Sequence, residues 1–312
     1  MLRCIHCGAE YKEEFNKNQC NNCVEKLNLT NLYSTSIKNF SFKPSPLEEV
    51  NPNLFLKRED KNEYSGTFKD RKSVYVLREN QNFSLASSGN QALSLVKFKE
   101  AYNNPIIITK NGTYHIYVSK PIEAVINLFV SPYINDRKFK ELKKYYKSIN
   151  FTDRILSIDE LTQNDKNIFN LTNGMDSIGA SAYYSLAMEL EEENFDYILV
   201  PCGSGELYTA LSCYFHLLRK KGTPMIIPIQ SKLKETDAIY TDFVASQPFI
   251  DFFKEKFGQT PYVLEDETKT LKSLQAFSDI YNCELSSAVV FEAYEKLKPK
   301  GKVCLVITGV KK

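Results

Sequence analysis

The 312-residue sequence contains no tryptophan, three histidines and no long hydrophobic run. Because a membrane-spanning helix needs roughly 20 consecutive apolar residues, the sequence predicts no membrane contact. The opening MLRCIHCGAEY lacks the apolar stretch of a signal peptide, so we expect a cytoplasmic protein. Forty lysines and arginines nearly balance 38 acidic residues and leave a formal charge of +2, which offers no strong field for a nucleic-acid partner.

Glycine and proline are also modest in number, at 12 residues each, which excludes collagen-like and low-complexity chains. What is present is an ordinary globular composition, long enough to enclose a cofactor-sized pocket between two domains. The scarce histidines are His6 in a cysteine-rich segment, His115 in a strand pattern and His216 in an apolar helix pattern. We expect them in core or surface positions rather than as catalytic bases.

The eight cysteines fall into two groups. Cys4-x2-Cys7 followed by Cys20-x2-Cys23 is the spacing of a zinc ribbon, in which four thiolates surround one structural Zn²⁺. We therefore predict a zinc ribbon over residues 1–28; the alternative is a ribbon that has lost its metal. A disulfide is the weaker interpretation in a reducing compartment. The later group, which we expect to be buried as small hydrophobes, comprises Cys202, Cys213, Cys283 and Cys304.

Beyond a polar connection, hydrophobic periodicity predicts alternating strands and helices, so the fold class is α/β with parallel sheets covered by helices. The predicted strands are 83–86, 105–109, 115–118, 197–200, 225–228 and 303–307. The predicted helices are 91–102, 138–148, 177–193, 206–221, 269–281 and 286–297. We expect the charge runs at 138–147 and 189–193 to form solvated helix faces.

The first of three candidate sites is Ser65-Gly66-Thr67-Phe68-Lys69-Asp70-Arg71, where a glycine turn leads into a helix. Lys69 then lies near the helix N-terminus, whose partial positive charge disfavours an ammonium group. We expect a lowered pKa of Lys69 and a neutral amine that can react with an aldehyde. The alternative is a solvated surface lysine.

The second candidate site is Ala86-Ser87-Ser88-Gly89-Asn90, at the junction between a strand and the next helix. Its hydroxyls and backbone amides can bind a carboxylate at the start of a helix. Serine and asparagine serve equally well as helix caps with no ligand, so this segment carries little weight by itself.

The third candidate site is Val200-Pro201-Cys202-Gly203-Ser204-Gly205-Glu206-Leu207, a strand, a glycine loop and the start of a helix. Such a loop binds phosphate on its backbone N–H groups. It is not a dinucleotide fingerprint, because Tyr208 replaces the third glycine. The loop also lacks the G-K-[ST] of a P-loop and the G-x-S-x-G of a serine hydrolase.

Together these sites offer an amine for an aldehyde, a carboxylate cradle and a phosphate cradle, which suits pyridoxal phosphate with an amino acid. The sequence resembles the fold-type II pyridoxal-phosphate enzymes related to the tryptophan synthase β-subunit, and within them threonine synthase. The matching motifs, in family order, are Leu56-Lys57-Arg58-Glu59-Asp60, Gly66-Thr67-Phe68-Lys69-Asp70-Arg71, Ser87-Ser88-Gly89-Asn90, Gly203-Ser204-Gly205, Glu284-Leu285-Ser286-Ser287-Ala288 and Val306-Ile307-Thr308-Gly309. A zinc ribbon before this core is also similar to the threonine synthase branch.

The resemblance implies two open, mostly parallel αβα domains preceded by the small zinc ribbon. The ribbon would cover residues 1–28, the large cofactor-binding domain 29–80 and 165–312, and a small mobile domain 81–164. Dimers are common in the resembled family, so the resemblance also allows a homodimer.

The resemblance further implies a role for each matching residue. Lys69 would hold the cofactor covalently and move the Cα proton, Asn90 would lie by the cofactor's 3-hydroxyl, and Thr308 would face the pyridine nitrogen. The cofactor phosphate would bind the amides of Gly203, Ser204, Gly205, Glu206 and Leu207. The substrate would contact Thr67, Ser87, Ser88 and Gly89, with Asn173 and Asp176 at the border of the site.

Departures from threonine synthase fall where that enzyme binds phosphohomoserine. The arginine that would bind the substrate phosphate aligns with Asp176, and the family's serine and lysine positions become Leu171 and Ser181. A carboxylate beside a dianionic phosphate is repulsive. Asp176 therefore indicates a neutral or cationic substrate or nucleophile, or else it is a surface residue.

The expected function is pyridoxal-phosphate-dependent elimination or replacement on a small amino-acid substrate. The reaction would be O-phosphohomoserine to threonine, or a related β-replacement such as cysteine or cysteate synthesis. The hydroxyl of Thr308, unlike an aspartate, does not force protonation of the cofactor ring and so favours elimination over transamination. The altered segment leaves a second hypothesis, a non-catalytic or regulatory relative that keeps the cofactor fold.

Overall fold

The computed structural model describes residues 1–14, 17, 19–23, 29–37, 40, 42–77, 82–87, 89–103, 107–108, 114–115, 126–130, 136–145, 149–152, 168–170, 176–219, 224–241, 244–265 and 267–311. The strands are β1 (Leu2–Cys4), β2 (Glu10–Tyr11), β3 (Leu32–Ser34), β4 (Leu47–Asn51), β5 (Leu54–Arg58), β6 (Asn82–Ser87), β7 (Ile107–Ile108), β8 (Tyr114–His115), β9 (Ile126–Val130), β10 (Ile149–Thr152), β11 (Ile168–Asn170), β12 (Tyr197–Pro201), β13 (Met225–Ser231), β14 (Tyr262–Leu264) and β15 (Val303–Ile307). The α-helices are α1 (Lys69–Leu77), α2 (Asn90–Asn103), α3 (Asp136–Leu142), α4 (Ser177–Ala180), α5 (Tyr184–Glu191), α6 (Glu206–Ser212), α7 (Gln247–Phe257), α8 (Thr268–Tyr281) and α9 (Leu285–Leu297). Short 3₁₀ helices cover Glu59–Lys61, Lys143–Tyr145 and Ser181–Tyr183, and a π-helix covers Cys213–Arg219.

The largest sheet has six strands in the order β14-β13-β12-β15-β5-β4. Its strands are parallel except β4, which runs antiparallel to β5 at the edge. The central strands are the apolar runs YILVP and VCLVI, typical of strands covered on both faces. Ile198 and Val200 pack into the core on the face of α6, whereas Leu199 packs into the core on the face of α9, as the alternation of side chains along a strand requires.

A second sheet has four parallel strands in the order β10-β9-β6-β11. Helix α2 follows β6 and packs on α1, which also contacts α4 and the 3₁₀ turn that follows α4. The predicted domain division assigns 168–170 to the large domain, yet β11 pairs with β6 in this smaller sheet. The division itself stays a prediction.

The N-terminal segment forms a small antiparallel sheet in the order β2-β1-β3. It packs on the large sheet's helices, since the Tyr184 hydroxyl in α5 donates to the Ser34 carbonyl at 2.7 Å. The Thr30 amide donates to the Ala245 carbonyl at 2.9 Å. The cysteine-bearing module is thus attached to the same side of the molecule as α6.

The predicted α/β class with parallel sheets is confirmed. The strands predicted at 197–200, 225–228 and 303–307 are β12, β13 and β15, and 83–86 lies within β6. For the predictions at 105–109 and 115–118, the structure describes an antiparallel pair of β7 with β8, and the rest lies outside the described residues. The helices predicted at 91–102, 269–281 and 286–297 are α2, α8 and α9.

The remaining predicted helices are divided rather than continuous. The 177–193 segment consists of α4, a 3₁₀ turn and α5, because the hydroxyls of Ser181 and Ser185 donate to carbonyls three residues earlier and tighten the turn. Of the predicted helix 206–221, the described residues 206–219 are α6 continued by the π-helix. Of the predicted helix 138–148, the described residues 138–145 belong to α3, which begins at Asp136, and to the 3₁₀ turn that follows it. Residues 146–148 and 220–221 lie outside the described residues.

The expectation of solvated charge runs is wrong at two positions. Lys138 is buried and donates to Asp237 at 2.8 Å, and Glu189 pairs with both Arg71 and Lys57. Partners from other parts of the chain neutralise these charges, which the local sequence does not reveal.

The later cysteines are buried as expected: Cys202, Cys213, Cys283 and Cys304. Among the helices of the described segments, none is long and apolar enough to cross a bilayer.

Candidate active site

The helix α1 begins at Lys69, the lysine that the sequence indicates. The residues before it are fixed against the end of β15. Thr67 forms an antiparallel bridge with Gly309, and the Phe68 amide donates to the Thr308 carbonyl at 3.0 Å. Lys69 is thereby held at the carboxyl end of a central parallel strand, the place where open α/β sheets bind ligands.

Lys69 is a buried amine with 6% of its surface exposed. Its Nζ lies 3.4 Å from Glu206 Oε2 and 4.2 Å from the centre of the Phe68 ring. Burial lowers the pKa of Lys69 to about 8; Glu206 acts in the opposite direction, and the Lys72 ammonium adds to the lowering. The direction agrees with that expected from the helix terminus, but burial is the main cause. Part of the population is therefore a neutral amine near neutral pH.

The glycine loop between β12 and α6 presents unpaired amides. Gly205 has a φ of +87°, and a Cβ there would lie 2.8 Å from Ser246 Cβ, so this position requires glycine. The loop is held in place by the Ser246 amide, which donates to the Ser204 carbonyl at 3.0 Å. Within the described residues, the amides of Gly203, Ser204, Gly205 and Leu207 donate no hydrogen bond. Such a set of free donors suits a phosphate group.

The Glu206 side chain reaches α1, which the sequence analysis did not anticipate. Its Oε1 accepts a hydrogen bond from Lys72 Nζ at 2.6 Å while its Oε2 faces Lys69. Lys72 is fully buried and also lies 3.5 Å from Asp176 Oδ2. The site therefore contains two lysines and two carboxylates, which we call the reactive cluster: Lys69, Lys72, Glu206 and Asp176. Lys72 follows Lys69 by three positions, a spacing that places both on one helix face and could have indicated its involvement.

Asp176 is an interior residue and not a surface one. It is 3% exposed and caps α4, where its Oδ1 accepts from the Gly179 amide at 2.8 Å. Burial raises the pKa of Asp176, and the Lys72 ammonium opposes that increase. The segment that departs from threonine synthase thus places a carboxylate next to the second lysine of the site.

Thr308 lies directly after β15, and its hydroxyl contacts another hydroxyl. Its Oγ1 is 2.8 Å from the hydroxyl of Ser287, whose oxygen accepts from the Gly309 amide at 2.9 Å. Thr308 is 3% exposed. A hydroxyl supported by another hydroxyl suits an unprotonated ring nitrogen better than a protonated one.

Asn90 is the first residue of α2. Its Nδ2 donates to Glu284 Oε2 at 3.1 Å, which joins α2 to the segment before α9. Its Oδ1 is buried and has no hydrogen-bond partner in the described part of the chain, so an acceptor is open at this point. The involvement of Glu284 was not predicted, although the motif that contains it was.

The remaining predicted substrate residues are only partly described. Thr67 is fully buried, and its hydroxyl is 2.8 Å from that of Ser65. Ser87 is the last residue of β6, and Gly89 precedes α2 with a φ of +119°. Ser88 and Asn173 lie outside the described residues.

The four N-terminal cysteines come together as predicted. The Sγ atoms of Cys4, Cys7, Cys20 and Cys23 all lie within 4.8 Å of one another. Four thiolates can hold one tetrahedral metal ion and leave no coordination position open for chemistry. This cluster can therefore bind a metal in a structural role.

A short path of contacts joins the cysteine cluster to the glycine loop. The Cys20 amide donates to Asn31 Oδ1 at 2.8 Å, and the amide of the neighbouring Thr30 donates to the Ala245 carbonyl. The next residue, Ser246, holds the glycine loop through the bond described above. Hydrogen bonds and adjacent residues thus connect the two sites.

The residues of the site fit pyridoxal phosphate. Lys69 provides an amine with a lowered pKa, the glycine loop provides free amides, and Asn90 Oδ1 provides an acceptor for a hydroxyl. The carboxylate of Glu206, next to those amides, is the feature that simple phosphate binding does not explain.

Known structures share this fold at low sequence identity. O-acetylserine dependent cystathionine beta-synthase from Helicobacter pylori is 16% identical over 86% of this chain and 93% of that chain, with a TM-score of 0.63. Threonine deaminase isoform 2 from Solanum lycopersicum is 15% identical over 86% and 84%, with a TM-score of 0.61. Maize serine racemase is 16% identical over 86% and 89%, with a TM-score of 0.58.

Among curated protein sequences, none matches this one. Residues 38–309 match the family described as pyridoxal-phosphate dependent enzyme. That span contains both parallel sheets and every cofactor residue discussed above. The chain belongs to the pyridoxal-phosphate dependent enzymes of fold-type II.

Proposed function

We propose that this enzyme catalyses elimination or replacement on the side chain of a small amino acid, with Lys69 as the lysine that holds the cofactor. The observation that carries the proposal is the setting of Lys69, a buried amine with a pKa of about 8. It lies on a segment bonded to Thr308 and contacts the residue that follows the glycine loop.

The chain's own residues would divide the chemistry as follows. When bound, pyridoxal phosphate supplies an electron sink for bonds broken at Cα. Lys69 Nζ is suited to take the Cα proton and return it, since burial keeps part of it as a neutral amine. The rings of Phe68 and Tyr183, 4.2 and 5.7 Å from Nζ, would limit access of water to that amine.

Other groups would bind and orient the reactants. The free amides of the glycine loop would bind the cofactor phosphate, and Asn90 Oδ1 would accept from its ring hydroxyl. The segment from Ser87 to Gly89 would bind the substrate carboxylate. Thr308, held by the Ser287 hydroxyl, would face the ring nitrogen without forcing its protonation, which favours elimination over transamination.

We propose that the substituent that leaves is uncharged on the substrate, such as a hydroxyl or an acetoxy group, so that serine, threonine or O-acetylserine is the substrate class. The buried carboxylates of Asp176 and Glu206 support this choice, because they would repel a second phosphate dianion. The names of similar structures, which mention O-acetylserine, threonine and serine, agree with it. Threonine synthesis from O-phosphohomoserine has less support than β-replacement that yields cysteine or a related product.

The test is the visible spectrum of the purified protein before and after borohydride reduction, with peptide mass spectrometry to locate the reduced cofactor. We expect the cofactor on Lys69. The spectrum is then followed with O-phosphohomoserine, phosphoserine, O-acetylserine, serine and threonine. A change with one of the last three supports the proposal. A change only with O-phosphohomoserine contradicts the substrate class and restores threonine synthesis.

A second candidate, a non-catalytic relative that keeps the fold, is favoured by one observation. The Glu206 carboxylate contacts both lysines of the site and could hold them in place of the cofactor. In that case the spectrum would show no cofactor band even after pyridoxal phosphate is added.

We also propose that the cysteine cluster holds Zn²⁺ in a structural role, for which its four-thiolate set is well suited. Metal analysis of the purified protein should find about one zinc per chain. The homodimer and the cytoplasmic location stay predictions, to be tested by light scattering and by fractionation of the source cells.

A further inference from the structure

We propose that Glu206 is an internal anion that opposes the cofactor phosphate, and that Lys72 is its permanent counter-ion, which limits this opposition. The inference rests on the proposed function, because it takes the glycine loop as the phosphate site and Lys69 as the cofactor lysine. It assigns a role to the Glu206 and Lys72 side chains that neither motif indicated.

The first step is the position of the Glu206 carboxylate. Glu206 belongs to the run 203–207, whose other amides have no partner within the described residues. Its own side chain is 1% exposed and lies against the Nζ atoms of Lys69 and Lys72. Water therefore screens its charge little. A phosphate bound by the adjacent amides would be repelled by this carboxylate with little screening.

The second step is the charge balance of the reactive cluster. Two ammonium groups face two carboxylates, and all four side chains are at most 8% exposed. A phosphate dianion would give this balanced group an excess of negative charge. Like charges in contact at low dielectric are unfavourable, so Glu206 must weaken phosphate binding unless a cation compensates it.

The third step is the difference between the two lysines. Lys72 donates to Glu206 at 2.6 Å, whereas Lys69 lies 3.4 Å from the same carboxylate. A Lys69 amine that held the cofactor would no longer be a free ammonium partner for Glu206. Lys72 would then remain the ammonium group bonded to Glu206, and a buried carboxylate that loses its cation is strongly unfavourable. Lys72 is in this sense a positioning residue.

The experiment compares pyridoxal phosphate with pyridoxal, which lacks the phosphate. Cofactor is removed from the purified full-length protein, and both ligands are titrated back with visible absorbance as the measure of binding. The useful quantity is the ratio of the two dissociation constants, because effects on the aldehyde reaction at Lys69 cancel in it. We expect Glu206→Gln to raise the preference for pyridoxal phosphate about tenfold, as removal of one close like charge would do.

Lys72→Met should lower the same preference about tenfold, because Glu206 and Asp176 then lack their nearest cation. Since this variant removes the nearest cation of two buried carboxylates and can fail to fold, the double variant Glu206→Gln/Lys72→Met is measured as well. It should have a preference close to that of the unaltered protein. The matched control is Glu292→Gln, a buried glutamate in α9 that accepts from Ser273, and it should leave the ratio unchanged.

The outcomes separate this inference from the proposed function. If both ligands bind at Lys69 but Glu206→Gln leaves the ratio unchanged or lowers it, the inference is wrong and the proposed function stands. If the unaltered protein binds neither ligand, both are overturned. If the double variant prefers pyridoxal phosphate less than Lys72→Met does, the two side chains are not a compensating pair and the role assigned to Lys72 is wrong.

Discussion

The two faces of α1 carry two buried charge clusters that behave in opposite ways. Arg71 belongs to the first, which we call the anchor cluster: Lys57, Glu59, Arg71 and Glu189. Arg71 donates to both oxygens of Glu59 at 2.8 Å and to Glu189 at 2.7 Å, and Lys57 lies 2.6 Å from Glu189. Forked, short bonds of this kind are the strongest ion pairs that proteins contain.

The reactive cluster on the other face is paired less completely. Its contacts to Lys69 and from Lys72 to Asp176 are 3.4 and 3.5 Å long. Burial alone would raise the pKa of Glu59, yet the Arg71 charge and hydrogen bonds hold it at about 2. Burial lowers the pKa of Lys69 to about 8, and Glu206 offsets only part of this effect. A buried group with complete ion pairing therefore stays charged. A buried lysine with longer, incomplete pairing keeps a neutral fraction that can react.

Replacement of the reactive lysine gives the largest expected effect. Lys69→Ala should reduce turnover by about 10³-fold or more, because it removes the amine proposed to hold the cofactor and move the Cα proton. Turnover is measured with whichever panel substrate responds. Lys232→Ala, at an exposed lysine paired with Glu265, is the control and should retain full activity. Full activity of Lys69→Ala would overturn the role of this residue.

Replacement in the anchor cluster should act on stability. Arg71→Met leaves Glu59 unpaired in the interior and should lower the free energy of unfolding by about 3–5 kcal/mol, measured by urea denaturation. Arg219→Met is the matched control, since Arg219 pairs with Glu191 at 3.6 Å and is 45% exposed. That change should cost about 1 kcal/mol or less. Equal losses of unfolding free energy in the two variants would show that burial does not determine how much these ion pairs stabilise the protein.

Removal of the proposed metal tests whether the cysteine cluster supports the position of the glycine loop. Cys20→Ser or a chelator should weaken binding of pyridoxal phosphate about tenfold, the size of effect often seen when groups that support a binding site from behind are removed. The path runs from Cys20 through Asn31 to the segment that holds the glycine loop. Cys304→Ser, the same change in β15, is the control. Added Zn²⁺ should restore affinity after chelation, and an unchanged affinity in the metal-free protein would refute the path.

The smallest expected effect is in the pH dependence of cofactor loading. Because the pKa of Lys69 is lowered to about 8, the neutral amine and the loading rate should rise about fivefold from pH 7 to pH 8 and then level off. The groups that face Lys69 are Glu206 from α6, Lys72 from α1 and Glu284 before α9. Free N-acetyl-lysine, whose rate keeps rising to about pH 10, is the comparison. A rate that rises in parallel with it would contradict the lowered pKa.

Three of the six strands of the large sheet, β12, β13 and β15, could be predicted from sequence because they obey local rules. The runs around Leu199 and Leu305 are continuous apolar segments, and such runs predict buried parallel strands. The start of α1 was also predictable, since Gly66 marks the turn before it. These features depend on residues that are close together in the chain.

The features that escaped prediction depend on distant partners. β5 ends in Lys57 and Arg58, charges that indicate a surface loop until Glu189 and Asp60 are known to neutralise them. α7 was also missed, although Pro248 in its first turn is a common start signal. At the site, the sequence places Glu206 on the glycine loop, but which way its side chain points depends on the packing of α6 against α1.

The order of strands in the large sheet has a consequence for how the protein is made. β15 follows the other described strands in sequence, yet it is inserted between β12 and β5 at the middle of the sheet. Lys69 and Glu206 are 137 residues apart, and the segment before Lys69 bonds to residues that follow β15. Contacts of such long range form late in folding. A growing chain on the ribosome therefore has no complete cofactor site until β15 has emerged and docked, so cofactor capture reports that β15 is in place.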